Sequence, residues 1–79
     1  YFVYLPSYSR YKTNYNNIAY DQIKKISKDL NINFIDIHKK FFQLEKNPLI
    51  FFPFKSSKHY NIEGYRQIAT LINKIVTNE

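Results

Sequence analysis

The sequence predicts an α/β fold: a strand–helix–strand unit, then a short helix and a C-terminal helix, together forming part of a larger domain. Three observations predict it. Tyr1 to Leu5 and Ile32 to Ile37 are short apolar runs with β-branched and aromatic character, the pattern of strands buried on both faces. Between them, Tyr15, Ile18, Ala19, Ile23, Ile26 and Leu30 recur at helical spacing. Near the end, Tyr65, Ile68, Ala69, Ile72, Ile75 and Val76 form a second helical stripe.

The first strand ends at Pro6, and the polar, aromatic stretch from Ser7 to Asn14 reads as a loop at its carboxyl end. A helix is expected from Tyr15 to Leu30, with Asn14 as N-cap and Asn31 in the turn that closes it. Its apolar stripe is expected to face the core, with Asp21, Lys24, Lys25 and Lys28 on the other side. Strand, helix and strand at this spacing make one βαβ unit with parallel strands. A short helix is expected from His38 to Glu45, with Phe41, Phe42 and Leu44 partly buried. Lys46 to Lys58 has no period and holds Pro48 and Pro53. Connections of this length are uncommon and often functional. The last helix should run from Ile62 to Thr77. Asn61 can cap it, and Gly64, the only glycine, suits a close backbone approach in its first turn.

Two strands leave a parallel sheet with open edges, so the chain reads as the C-terminal portion of a longer protein or as one that a partner or second copy completes. It opens directly on an apolar run beginning with Tyr1, without the charged region of a signal peptide. There is no cysteine, which excludes disulfides and thiolate metal sites. No apolar run approaches the roughly 20 residues of a membrane helix. Twelve Lys and Arg face six Asp and Glu, for a net charge of +6. The lysines are dispersed rather than blocked, and the aromatics fall at core-facing positions or in the Leu49 to Phe54 loop. Nucleic-acid binding is therefore not the expected function.

His59 is the candidate catalytic group. It sits in the loop feeding the last helix, and in open α/β sheets sites lie outside the carboxyl ends of the strands. Imidazole can exchange a proton near neutral pH, as a general base must. His38 follows the second strand beside Lys39 and Lys40 and is expected to be exposed. The two histidines have no ligand-like third residue, so no metal site is expected. Ser7 and Ser9 lack the context of a nucleophile elbow. Arg10 and Lys55 are the candidate substrate-binding cations.

Leu5-Pro6-Ser7, Phe34-Ile35-Asp36-Ile37, Leu49-Ile50-Phe51-Phe52-Pro53-Phe54 and His59-Tyr60-Asn61-Ile62-Glu63-Gly64-Tyr65, followed by Ile68-Ala69, occur in this order over nearly the whole chain. The series resembles the C-terminal part of an SGNH/GDSL hydrolase. The resemblance implies a partial flavodoxin-like three-layer sandwich over residues 1–79, with no cofactor. It implies that His59 takes the proton of a serine that attacks an ester carbonyl, in a small-molecule, carbohydrate or lipid ester substrate. The family's Gly-Asp-Ser nucleophile block does not occur in this sequence. Ser56 stands where the family carries the aspartate that orients the histidine. Serine can accept a hydrogen bond from the ring but cannot offset imidazolium charge. Asp36 is a second, more distant acceptor. Lys55 and Lys58 flank the loop, and cations there favour the neutral base. On this reading the isolated segment is inactive. The alternatives are a degenerate SGNH-like domain that binds or assembles without catalysis, and a small basic nucleic-acid-binding module.

Overall fold

The computed structural model describes residues 1–11, 15–53 and 59–78. They form a small mixed α/β unit with a two-stranded parallel sheet and three α-helices. Strand β1 (Phe2–Tyr4) pairs with β2 (Phe34–Asp36), with Phe2 opposite Phe34, Val3 opposite Ile35 and Tyr4 opposite Asp36. Helix α1 (Ile18–Asp29) connects them, as the apolar periodicity predicts. Helix α2 (Ile37–Lys40) is a single turn that follows β2 directly, and α3 (Ile62–Thr77) closes the chain. Short 3-10 turns at Tyr8–Tyr11, Phe42–Leu44 and Pro48–Phe51 fill the connections.

The alternation of side chains along a strand gives each sheet face its own neighbours. Val3 and Ile35 join the main core with Ile37, Phe41, Phe42, Phe51, Phe52, Tyr60 and Ile68. Phe34 stacks on Phe2 and on Tyr4, and Tyr4 meets Tyr20 of α1 at 4.9 Å between ring centres. Phe42 has no solvent exposure. Its ring lies 4.9–6.1 Å from those of Phe41, Phe51, Phe52, Tyr60 and Tyr11, all within aromatic pairing range.

Helix α1 starts three residues later than the periodicity suggests. Asn17 stands at its N-cap, and the Asn16 side chain accepts from the Ile18 N–H at 2.8 Å. The expected cap, Asn14, lies outside the described residues. The helix ends as Asn31 predicts. Asn31 adopts φ 57°, in the left-handed region. Its N–H donates to the Lys28 carbonyl and the Ile32 N–H to the Ser27 carbonyl. These two bonds are the Schellman pattern, and Asn is among the few residues that tolerate its left-handed position.

The buried face of α1 departs from expectation. Tyr20 and Ser27 are buried, while Ile18, Ile26 and Leu30 are 62%, 55% and 66% exposed. The helix is turned so that the edge of its apolar stripe, not the centre, meets the sheet. On the side that faces inward, the Tyr20 hydroxyl donates to Asp36 at the end of β2. Leu44 is also 78% exposed rather than partly buried, because the short helix breaks after one turn at Phe41 and restarts as a 3-10 turn.

Helix α3 is capped as expected: the Asn61 side chain accepts from the Gly64 N–H at 2.7 Å. The Asn61 backbone N–H and side chain also donate to the Phe51 and Ile50 carbonyls, pinning the helix start to the preceding turn. Gly64 is buried there. A Cβ at this position would lie 3.1 Å from Tyr60 Cβ and 3.2 Å from Phe51 Cβ.

Two substitutions test this packing by urea unfolding. Phe42→Ala should lower stability by about 3–5 kcal/mol, the usual cost of emptying a buried aromatic site. Gly64→Ala would gain up to about 1 kcal/mol of helix propensity on an open helix. Here it should destabilise instead, by about 1 kcal/mol net, because overpacking costs about 1–3 kcal/mol. An unchanged or raised midpoint for Gly64→Ala would contradict the tight contact.

Candidate functional site

The carboxyl ends of β1 and β2 carry most of the structure's polar chemistry. At the end of β1, the chain turns through Pro6 into the Tyr8–Tyr11 3-10 turn. The Tyr60 hydroxyl, from the segment before α3, donates to the Pro6 carbonyl. This bond fixes the segment carrying His59 at the sheet's carboxyl end, although 54 residues separate its partners. Tyr60 is buried, and desolvation of the phenolate pushes its pKa up.

His59 itself is exposed. Its Nδ1 lies 3.4 Å from the Tyr65 hydroxyl, one turn into α3. Its Nε2 has no protein partner among the described residues. Tyr65 in turn packs edge-on against Tyr60 at 5.3 Å, so the two tyrosines form a short wall behind the imidazole. Ser56 and Lys55, and Lys58 with them, lie outside the described residues. Among the described residues, Tyr65 is thus the polar group brought to His59. The signal for it was present in the sequence as His59 and Tyr65 six residues apart across a helix start.

Asp36 does not reach His59. One of its oxygens accepts from the Tyr20 hydroxyl, and the other accepts from the Lys39 N–H at 3.1 Å as the N-cap of α2. The tyrosine O–H bond to the carboxylate and burial both raise the Tyr20 pKa, burial the more. Asp36 is therefore committed to holding α1 and α2 against the strand end.

Arg10 occupies a cage of tyrosines. Its guanidinium carbon lies 4.4 Å from the Tyr20 ring centre, 4.7 Å from Tyr15 and 5.9 Å from Tyr4. Arginine over aromatic faces is stabilised by the ring quadrupoles. Nη1 donates to Asn17 Oδ1 at 2.6 Å, which ties the 3-10 turn to the start of α1. Nε is buried without a partner. Tyr4, whose hydroxyl also meets Tyr15, is raised to about 12, first by burial. Ser7 and Ser9 bond each other, Oγ to Oγ, at 2.9 Å.

His38 differs from expectation in being half-buried rather than exposed. Its Nδ1 lies 2.9 Å from the Tyr11 hydroxyl, and its ring meets Tyr20 edge-on at 6.0 Å. Burial lowers its pKa, and the Arg10 charge lowers it further against the opposing pull of Asp36. The sequence reading missed this group because Lys39 and Lys40 beside it suggested a solvated face. Tyr11, 27 residues away, provides its partner. Among the described residues, no group of three or more His, Asp and Glu could hold a metal ion. No described helix is long and apolar enough to cross a membrane.

His38 makes stability pH-dependent with a definite sign. Its folded pKa lies below the ordinary value near 6.5, so the unfolded chain binds the proton more readily. Stability should fall as pH drops through about 6.5 and level off below the folded value. Thermal melts between pH 7.5 and 5.5 should show this slope in the parent chain. They should show a reduced slope in His38→Gln. Equal slopes in the two would assign the effect elsewhere.

No family model matches this chain, and neither a curated protein nor a solved structure matches it.

Proposed function

We propose that this chain is the histidine-bearing part of a serine ester hydrolase or O-acyltransferase, with His59 as its general base. The observation that carries the reading is the position of His59. It is an exposed imidazole whose Nε2 has no partner among the described residues, on a segment bonded through Tyr60 to the carboxyl end of a parallel strand. Open α/β sheets place catalytic groups at that end. A base must also present one ring nitrogen to its target while the other is held.

The resemblance to SGNH/GDSL hydrolases supplies the reaction class. The βαβ unit suits the flavodoxin-like sandwich it implies, since Tyr20 of α1 meets one sheet face and the main core the other. In such a reaction, Nε2 takes the proton of a serine hydroxyl as its oxygen attacks the ester carbonyl. It then returns that proton to the departing alcohol oxygen. Backbone or amide donors hold the oxyanion between the two steps. The serine and those donors would come from outside these 79 residues. Tyr65 takes the orienting role in this reading. Its oxygen can accept from Nδ1–H, which selects the tautomer with a free Nε2. The 3.4 Å separation is loose, and catalytic contacts often tighten only when substrate binds.

A binding domain without catalysis is the second reading. It is favoured by the absence, among the described residues, of a carboxylate bonded to His59, since a neutral phenol stabilises imidazolium less than a carboxylate does.

A fluorophosphonate probe tests the proposal on the longest natural protein containing this segment. Labelling should occur at a serine outside the segment and fall by about 100-fold or more in His59→Ala, the usual scale of general-base loss. Tyr65→Phe should lower it more modestly. Labelling that is equal with and without His59 would remove His59 as the base. No labelling of the natural protein would leave the binding domain.

A further inference from the structure

A second feature lies apart from the strand ends, between the Ile37–Leu44 region and the middle of α3. Two adjoining depressions of about 320 and 550 Å3 share Lys40, Leu71 and Lys74 in their walls, so they form one groove. Its volume falls within the roughly 300–1,000 Å3 of small-ligand sites. The apolar floor is Leu71 and Ile75, with Leu44 as an exposed apolar lip. Arg66, Thr70 and Lys74 are spaced by four on α3 and form one rim. Lys39 and Lys40 form the opposite rim.

The charge of this groove is one-sided. Among the described residues, four cations line it and no carboxylate does. Arg66 is already paired with Glu63, which also accepts from Gln67. Among the described residues, Lys39, Lys40 and Lys74 have no ion pair. Lys24 sits close enough to Lys39 for its pKa to be lowered by that contact. Lysines gathered over an apolar floor fit a ligand with an anionic head and a hydrocarbon body. From Arg66 to Asn78 the helix offers roughly 18 Å of groove. One acyl chain reaches about 15 Å, half the hydrocarbon thickness of a bilayer.

We infer that the groove between the α2 region and α3 binds a single long-chain fatty-acid anion, its carboxylate among Lys39, Lys40 and Lys74 and its chain along Leu44, Leu71 and Ile75. The site does not depend on His59 or on the ester-hydrolase reading. The ligand is bound, not transformed. Hydrocarbon burial sets the affinity, because each fully buried methylene is worth about a fourfold gain. The lysines select the charged head over an uncharged one.

Titration of the protein with palmitate, below the concentration at which it forms micelles, tests the inference by calorimetry and methyl NMR. Saturable one-to-one binding should shift the Leu44, Leu71 and Ile75 methyl resonances. Octanoate should bind at least tenfold more weakly than palmitate, and methyl palmitate at least tenfold more weakly as well. Leu44→Asp, at an exposed position that leaves the core intact, should weaken palmitate at least tenfold. The double variant Lys40→Glu, Lys74→Glu should do the same. His59→Ala should bind palmitate like the parent. Three outcomes overturn the inference: no saturable binding; equal affinity in Leu44→Asp and the double variant; or methyl palmitate binding as well as palmitate. Phosphatidylglycerol vesicles form a further arm. If they bind and the charge reversals abolish that binding while free palmitate does not bind, the patch is a membrane-surface contact, and the fatty-acid site is overturned.

Discussion

The Phe42 ring is the constraint on which the rest of the structure depends. It sits at the junction of five other aromatic rings drawn from four separate stretches of chain. A two-stranded sheet buries too little apolar surface to order the segments around it. The aromatic cluster supplies that burial instead, and its geometry is specific because ring pairs favour offset and edge-on contacts. Through Phe51 and Phe52 the cluster holds the proline-containing connection. Through Tyr60 it holds the segment that carries His59. The candidate base is therefore positioned by packing that lies behind it.

The polar groups at the strand ends divide into two sets with different duties. Asp36 and Arg10 are committed to neighbours. Asp36 joins the starts of α1 and α2 to β2 by accepting from Tyr20 and from a helix N–H. Arg10 is enclosed by tyrosine rings and tied to Asn17. Such contacts rigidify the floor of a site and leave little freedom for a ligand. His59 and Tyr65 are the opposite case, exposed and loosely joined. The +6 charge does not spread evenly over the surface either. Part of it is concentrated around an apolar groove on α3, where, among the described residues, lysines face one another without intervening carboxylates.

Much of the fold was legible because it is written in short-range chemistry. The two strand runs, the Asn31 turn, the Asn61 cap and the tight approach at Gly64 each follow from a few neighbouring residues. The extent and cap of the last helix were equally legible, but its stripe meets the core only at Ile68, Ile72 and Ile75; Tyr65, Ala69 and Val76 are exposed, and Gly64 and Leu71 face inward beside them. The orientation of α1 was not. Its apolar periodicity pointed at Ile18, Ile26 and Leu30, yet these are exposed, and Tyr20, bonded to Asp36, is turned inward. Periodicity measures where apolar residues lie on a helix and carries no information about a polar partner on another element.

The same distinction separates what the sequence determined from what tertiary structure decided. By itself the sequence specified an α/β unit with parallel strands, the capped start of α3 and a histidine just ahead of it. The capped helix start and the histidine ahead of it rest on residues within about one turn of each other, where backbone geometry and side-chain reach are fixed locally, and the parallel direction of the strands follows from the helical crossover between them. Tertiary structure decided that His59 faces Tyr65, that Asp36 is spent on Tyr20 and α2, that His38 is half-buried against Tyr11, and that the lysines of α2 and α3 share a groove. Each of these pairs groups from different elements or across a helix start. Their meeting depends on how the aromatic core rotates and spaces the elements, and no local pattern encodes that rotation.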